Sequence, residues 1–366
     1  MIQLTIRSTI WELEPHTAAK HVILEKYLGA WFPIMGTTNG RILYVDGFSG
    51  PGKYKNGELG SPLIALNLAK DHIHFDKLRS QIVFYFIEAD EDRCLHLEKL
   101  LDDIDIPENF RVQAICDTFV NTLTSIFERL DEQNKNLAPS FLFIDPFGYS
   151  QIPFHVIKKI MSYNRCEVLI TFMYDYINRF IEQEDRAHLF DQLFGTDEWR
   201  KISTSENSED RKDFVHNLYV SQLKDEANIK YVRSFEMVNK KGHTEYFLIF
   251  GTNSIDGLKH MKYAMWKVDD VGDFRFSDRT DQNQTVLFEK TPNYEQLKTI
   301  LIDKFKGQTV SVEELELFIL EQTPFRESHY KRQILKPMET ADSPEIEVFN
   351  RKRRNTYPPG CEIKFL

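Results

Sequence analysis

Five short, almost wholly apolar runs, separated by stretches with helical spacing, set the architecture of this 366-residue chain. RILYVD (41–46), QIVFYFIE (81–88), FRVQAI (110–115), SFLFID (140–145) and CEVLITFM (166–173) have the length and the β-branched and aromatic content of strands. Between them, apolar residues recur three and four apart, as in Phe119, Leu123, Ile126, Phe127 and Leu130. The alternation predicts βαβ units and a doubly wound, mostly parallel, Rossmann-like α/β sheet; the continuous apolar runs predict helices on both faces. A helix over 16–31, opened by Pro15, precedes the first strand.

After residue 173 the pattern turns polar and helical, which predicts a helical insertion over about 174–229. Two more strands, 230–238 and 244–251, joined by a tight turn at Lys241-Gly242, predict an antiparallel pair that finishes the sheet. The first domain is therefore expected over 1–275. A polar stretch with the run DRTDQNQ suggests a linker at 276–292. From 293 to 366, three short helical patterns and two terminal strands, EIEVF and EIKFL, predict a winged helix-turn-helix domain.

The strand ends carry the chemistry. Asp46-Gly47, Glu88, Asp117 and Asp145 all fall where ligands bind in open parallel sheets, beyond the carboxyl ends of the strands. The loop Asp46-Gly47-Phe48-Ser49-Gly50-Pro51-Gly52 spaces its glycines G-x-x-G-x-G, neither the dinucleotide fingerprint nor a P-loop. Its glycines let backbone approach a ligand, and Asp46 suits an ammonium group. Glu88, some forty residues on, suits the two hydroxyls of a ribose. Asp117 suits an exocyclic adenine amine, or else caps the next helix. Ammonium, ribose and adenine acceptors in that order describe S-adenosylmethionine better than NAD. After the fourth strand, the Asp145 carboxylate and Pro146 carbonyl can accept hydrogen bonds from a substrate amine, and Phe147 or Tyr149 can stack on a flipped base. The competing reading of Asp145-Pro146-Phe147-Gly148-Tyr149 is an ordinary strand-ending turn with a buried Phe.

Charge and cysteine usage narrow the setting. With 56 acidic against 46 basic residues, the net charge of −10 excludes an all-over cationic coat. Against that background Arg351, Lys352, Arg353 and Arg354 stand together in the terminal hairpin, with Arg326, Lys331, Arg332 and Lys336 on or beside the third helix. These eight are the candidate contacts to nucleic-acid phosphates; a docking patch for an acidic protein is the alternative. Cys94, Cys116, Cys166 and Cys361 are far apart with no C-x-x-C pair, so neither a structural zinc site nor a disulfide framework is expected, and a reducing cytoplasm is. No apolar run reaches the ~20 residues of a membrane span, and the amino terminus lacks a signal-peptide pattern.

Taken together, PHTAAKH, YVDGFSGPGKY, GSPLIAL, FIEAD, SFLFIDPFGY and LITFMYDYINRF resemble the three-Cys-motif partner family, and YFLIFGTNSIDGLKHMKYAMWKVD extends the match. Its members look like class I S-adenosylmethionine-dependent methyltransferases that accompany a radical-SAM-like protein carrying the cysteines. The glycine loop and the Lys20-His21 pair also resemble, more distantly, the ribosomal RNA adenine-N6 methyltransferases. The resemblance implies that Lys20 pairs with the cofactor carboxylate and that Asp46, Gly47, Phe48, Gly50, Gly52, Glu88, Ala89, Asp117 and Asp145 contact the cofactor. It further implies catalytic roles for Asp145, Pro146, Phe147 and Tyr149, a DNA or RNA base as substrate, and a radical-SAM-like partner. One departure stands out: the usual D/N-P-P-Y/F has Phe147 in place of its second Pro, and Gly148 delays the next aromatic to Tyr149. A non-catalytic, nucleic-acid-binding scaffold on the same fold is the competing expectation.

Overall fold

The computed structural model describes residues 9–202, 207–269, 272–277 and 292–366. Helix α1 (Pro15–Thr38) opens with Pro15, and buries His16, Ala19, Lys20, Ile23, Leu24, Tyr27, Leu28 and Trp31, the three-and-four spacing of one helical face. Strands and helices then alternate: β1 (Arg41–Asp46), α2 (Ser61–Lys70), β2 (Gln81–Ile87), α3 (Glu91–Asp102), β3 (Phe110–Ile115), α4 (Phe119–Glu132), β4 (Ser140–Ile144), α5 (Phe154–Met161) and β5 (Cys166–Phe172). The insertion supplies α6 (Tyr174–Phe180), α7 (Ala187–Phe194) and α8 (Ser208–Asp225), before β6 (Tyr231–Val238), β7 (Thr244–Thr252), α9 (Ile255–Met265) and β8 (Arg275–Ser277).

The sheet has the order β3-β2-β1-β4-β5-β7-β6-β8. β7 runs antiparallel to both its neighbours, whereas β8 lies parallel on β6. This is the doubly wound, Rossmann-like arrangement expected, and the order reverses between β1 and β4. Asp46 is in register with Phe86 of β2 and Phe143 of β4, so the carboxyl ends of these strands reach the same edge. One face packs Tyr44, Phe84, Phe141 and Phe143 under α1, α2 and α9; the other packs Val45, Leu142, Val168 and Ile170 under α4, α5 and the insertion helices. Buried Glu167 on β5 ties the first face together: Tyr27 Oη donates to it at 2.7 Å and Thr252 Oγ1 at 2.6 Å. Burial raises its pKa, opposed by these hydrogen bonds.

The carboxyl-terminal module is a winged helix-turn-helix. It comprises α10 (Tyr294–Phe305), β9 (Thr309–Ser311), α11 (Val312–Gln322), a π-turn at Lys331–Leu335 leading into α12 (Lys336–Thr340), β10 (Ile346–Phe349) and β11 (Glu362–Phe365). The strands form a small antiparallel sheet, β10-β11-β9, whose third strand the sequence pattern does not reveal. The module is joined to the large sheet by buried cations. Lys262 on α9 has no exposed surface, and its ammonium donates to the carbonyls of Ile319, Leu320 and Thr323 at the end of α11. Arg233 of β6 donates to the Leu320 and Glu321 carbonyls, and Trp266 Nε1 to that of Pro324. The end of α11, where carbonyls run out of intrahelical donors, thus takes donors from the other domain.

One sequence expectation needs correction. Cys94 and Cys116 are joined by a disulfide, because α3 folds back beside β3 and brings the two Cα atoms to 5.5 Å despite a sequence separation of 22. Arg275–Ser277 is a strand, so the expected linker at 276–292 overlaps its last two residues; 278–291 lies outside the described residues. No helix among the described residues is long and apolar enough to cross a membrane. Replacing Lys262 by Met keeps the stem but removes the donor shared by the Ile319, Leu320 and Thr323 carbonyls, and leaves that of Thr323 without one among the described residues. The expected cost is at least about 2 kcal/mol, read as a lower denaturant midpoint for the carboxyl-terminal module than for the wild-type chain.

Candidate cofactor and active site

At the edge where β1 and β4 part, a cavity of about 1350 Å³ opens. Its walls come from α1, the loop after β1, the loop after β4, the start of α6 and the β6–β7 turn. The segment ahead of α1 crosses its mouth, with Trp11 among the lining residues. Of the residues expected from sequence, Lys20, Phe48, Gly50, Gly52, Asp145, Pro146 and Phe147 line it.

The polar groups are arranged from the inside out. Asp46, with 0% exposure, accepts a hydrogen bond from the Phe48 N–H at 3.3 Å, and its Oδ2 has no hydrogen-bond partner. Burial pushes its pKa up to about 7; the neighbouring Ser61 hydroxyl and the Phe48 N–H oppose the rise, while Asp145 and Glu88 add to it. Lys20, 4% exposed, forms an ion pair with Asp145 and lies 5.3 Å from the centre of the Tyr246 ring. Beside it, His21 is pushed down to about 4 by burial and by Lys20, and so presents a neutral imidazole to the cavity. Glu88 stands behind the glycine loop: its Oε2 accepts from Gly50 N at 2.9 Å and its Oε1 from Asp90 N at 2.8 Å. Gly50 and Gly52 have φ of +60° and +84°, the left-handed region that glycine enters without strain. A Cβ on Gly52 would also stand 2.8 Å from Leu97, so the loop requires glycine there twice over.

Other expected residues sit elsewhere. Asp46, Gly47, Glu88 and Ala89 are not part of the cavity wall. Asp117, at the end of the edge strand β3, spends Oδ1 on Thr118 N and Asn121 Nδ2 and does not line the cavity. Nor is it the helix cap, because Thr118 accepts from Asn121 N in that role. Tyr149 is buried against Phe190, with ring centres 4.6 Å apart and planes within 8°, in the core beneath the insertion. Gly148, at φ +113°, turns the chain so that Phe147 faces the cavity and Tyr149 the core. Phe147, 50% exposed, is the aromatic side chain of this loop that reaches the site.

Sequence reasoning missed the partners of Phe147. Trp11 meets it edge-on at 5.5 Å, and the Arg93 guanidinium lies 5.0 Å over Trp11 and 5.5 Å over Phe147. Tyr54 completes the rim, 6.0 Å from Trp11. The one clue was a lone Trp in the short segment before Pro15, where no element was expected.

The basic residues divide in the same way. Arg351 forms a two-pronged ion pair with Glu339, whose carboxyl it holds below the usual range, and Tyr357 Oη donates to the same Glu339. Arg326 lies over Tyr263 of α9, at 4.7 Å, in the seam between domains. Both side chains are thus engaged within the protein. Lys331 stands 3.9 Å from Glu316. Arg332, Lys336, Lys352, Arg353 and Arg354 are exposed on the helix and wing.

Comparison with known proteins bears mainly on the second domain. Residues 275–352 match the family described as the GMT-like wHTH domain. No curated protein matches the chain. Among solved structures, protein LPL1258 of Legionella pneumophila is similar at 17% identity and a TM-score of 0.39, covering 66% of this chain and 85% of that one. Trm1 of Pyrococcus horikoshii, solved with S-adenosyl-L-methionine, is similar at 11% and 0.37, over 70% of this chain and 61% of Trm1. A putative O-methyltransferase from Klebsiella pneumoniae is similar at 12% and 0.32, over 66% and 91%.

Asp46 links the site to stability. A carboxyl whose folded pKa is raised favours the folded state in its neutral form, so its contribution is complete below about pH 4 and is lost as pH rises through about 7. Asp46→Asn should therefore melt higher than the wild type at pH 8, by up to roughly 4 kcal/mol at about 1.4 kcal/mol per pKa unit, with little difference at pH 4. Thermal unfolding of the two proteins across that range is the measurement.

Proposed function

We propose that the chain is an S-adenosylmethionine-dependent methyltransferase that acts on a base of DNA or RNA. The observation that carries this reading is the cavity at the reversal of strand order between β1 and β4, lined by Lys20, Asp145 and the glycine loop, with Asp46 buried at the end of β1. The residues fit the cofactor. Asp46 holds a buried oxygen without a partner, as an ammonium group would require. The Glu88 oxygens keep a further lone pair each for ribose hydroxyls. Gly50 and Gly52 let backbone approach without a Cβ in the way.

When bound, S-adenosylmethionine supplies an electrophilic methyl group; the protein's part is to hold the acceptor amine. Lys20 fixes the Asp145 carboxylate at the cavity wall, so the amine meets an acceptor already oriented. The Pro146 carbonyl offers a second acceptor. Phe147, exposed and flanked by Trp11 and Arg93, provides a face for a base taken out of its stack. The exposed cations of α12 and the wing suit the phosphate backbone. The resemblance to the three-Cys-motif partner family supports a radical-SAM-like protein as partner and a cytoplasmic setting. The pairing of Lys20 with Asp145, together with Phe147 in place of a proline, favours a second reading, a cofactor-fold scaffold that binds nucleic acid without transfer.

Calorimetric titration and a radiolabelled methyl-transfer assay on mixed DNA and RNA oligonucleotides test the two readings. Methyl transfer that Asp145→Ala lowers at least ~100-fold, with S-adenosylmethionine affinity retained, is the expected outcome. Cofactor binding without transfer, even with the partner added, points to the scaffold. A failure to bind S-adenosylmethionine overturns the proposal.

A further inference from the structure

Away from the cavity, three side chains with metal-ligating atoms converge at the outer end of β3. Cys94 and Glu98 lie one turn apart on α3, and so on one face of that helix; Cys116 follows the last residue of β3. Both sulfur atoms and a carboxylate oxygen of Glu98 lie within 4.8 Å of one another. None of the three lines the cavity.

We propose that the Cys94–Cys116 pair is a reversible thiol couple and that, once reduced, Cys94, Glu98 and Cys116 bind a thiophilic divalent cation of the zinc type. A tetrahedral zinc centre, with Zn–S near 2.3 Å and Zn–O near 2.1 Å, spaces its donors about 3.5–3.8 Å apart. The observed separation accommodates that spacing by side-chain rotation, with the Cα atoms already 5.5 Å apart. The donor set agrees with the cation: two thiolates select soft, d10 metals over magnesium or calcium, and a carboxylate completes three protein ligands with one position open. Access agrees as well. Cys94 is buried and anchors the site, Glu98 is half-buried, and Cys116 is exposed to incoming metal or thiol. Among the described residues no hydrogen bond or ion pair engages the Glu98 carboxylate, so it is uncommitted.

The chemistry closes on both sides. Binding to the reduced pair displaces two thiol protons to solvent. Oxidation by a low-molecular-weight disulfide such as oxidised glutathione joins the two sulfurs and passes two electrons to the oxidant. The oxidant takes up two protons and leaves as two thiols, and the cation is released because a disulfide sulfur is no longer a thiolate ligand. The site borders residues of interest: Cys94 follows Arg93, which lies over Trp11 and Phe147, and Cys116 precedes Asp117.

The experiment uses the full chain, reduced with a phosphine and freed of reductant, then titrated with cobalt(II) and back-titrated with zinc. The expected result is one cobalt per chain with a thiolate-to-cobalt charge-transfer band, displaced by zinc and discharged by oxidised glutathione. Cys116→Ser should abolish the band, and Glu98→Gln should weaken affinity about tenfold or more. Because Cys116 is exposed, its replacement leaves the core intact, which a melting curve verifies. Two outcomes overturn the proposal: no cobalt uptake by the folded, reduced wild type, or equal uptake by Cys116→Ser. The second would place the metal at a site that does not include this pair.

Discussion

Helix α1 comes before the sheet in the chain, yet the sheet's working edge is set by it. The Lys20 ammonium is removed from water and placed against Asp145 at the end of β4, more than a hundred residues later. An ion pair of this kind adds little net stability, but losing Asp145 strands the buried Lys20 charge, which costs on the order of 3 kcal/mol. The geometry is thereby made definite. Two turns further along α1, Tyr27 reaches Glu167 on β5, and near its start the His16 carbonyl accepts from Tyr246 of β7. With these three polar contacts across an otherwise aromatic interface, the helix cannot slide along the sheet without exposing buried polar atoms to apolar surroundings. The cavity keeps its shape because α1 keeps its register.

The site combines two kinds of wall. On the sheet side, buried carboxylates are held by backbone N–H groups or by a lysine, and the chain conformation is fixed by glycines. On the solvent side, Trp11, Tyr54 and Phe147 form an aromatic rim whose rings meet edge-on, with the Arg93 guanidinium over Trp11 and Phe147. The inner wall is rigid because moving it leaves polar groups unsatisfied. The rim is adaptable because edge contacts between rings are worth only about 1 kcal/mol each.

Much of this was legible from the residues. Continuous apolar runs at strand length led directly to the parallel sheet, and of the acids closing them Asp145 lines the cavity. The antiparallel β6–β7 pair and the winged module also followed from local pattern. What escaped has a common cause, for it depends on tertiary neighbours rather than on periodicity. Tyr149 and Phe147 are both aromatic residues beside a glycine, and only the turn at Gly148 decides which one faces the core. Arg351 and Lys352 are adjacent cations, but Glu339 claims one of them. Lys262 reads as a surface lysine on α9 until the end of α11 is laid against it. The disulfide, too, joins residues whose spacing announces nothing.

The clamped end of α11 has a consequence for how a polymer would be handled. A tethered reader domain samples many separations from its reaction centre, whereas one gripped through Lys262, Arg233 and Trp266 holds a single offset. On the reading advanced above, the distance between the nucleotides gripped by the wing and the nucleotide that enters the cavity would be a constant of the fold. The protein would then count along the strand as a calliper does, by the fixed gap between its jaws.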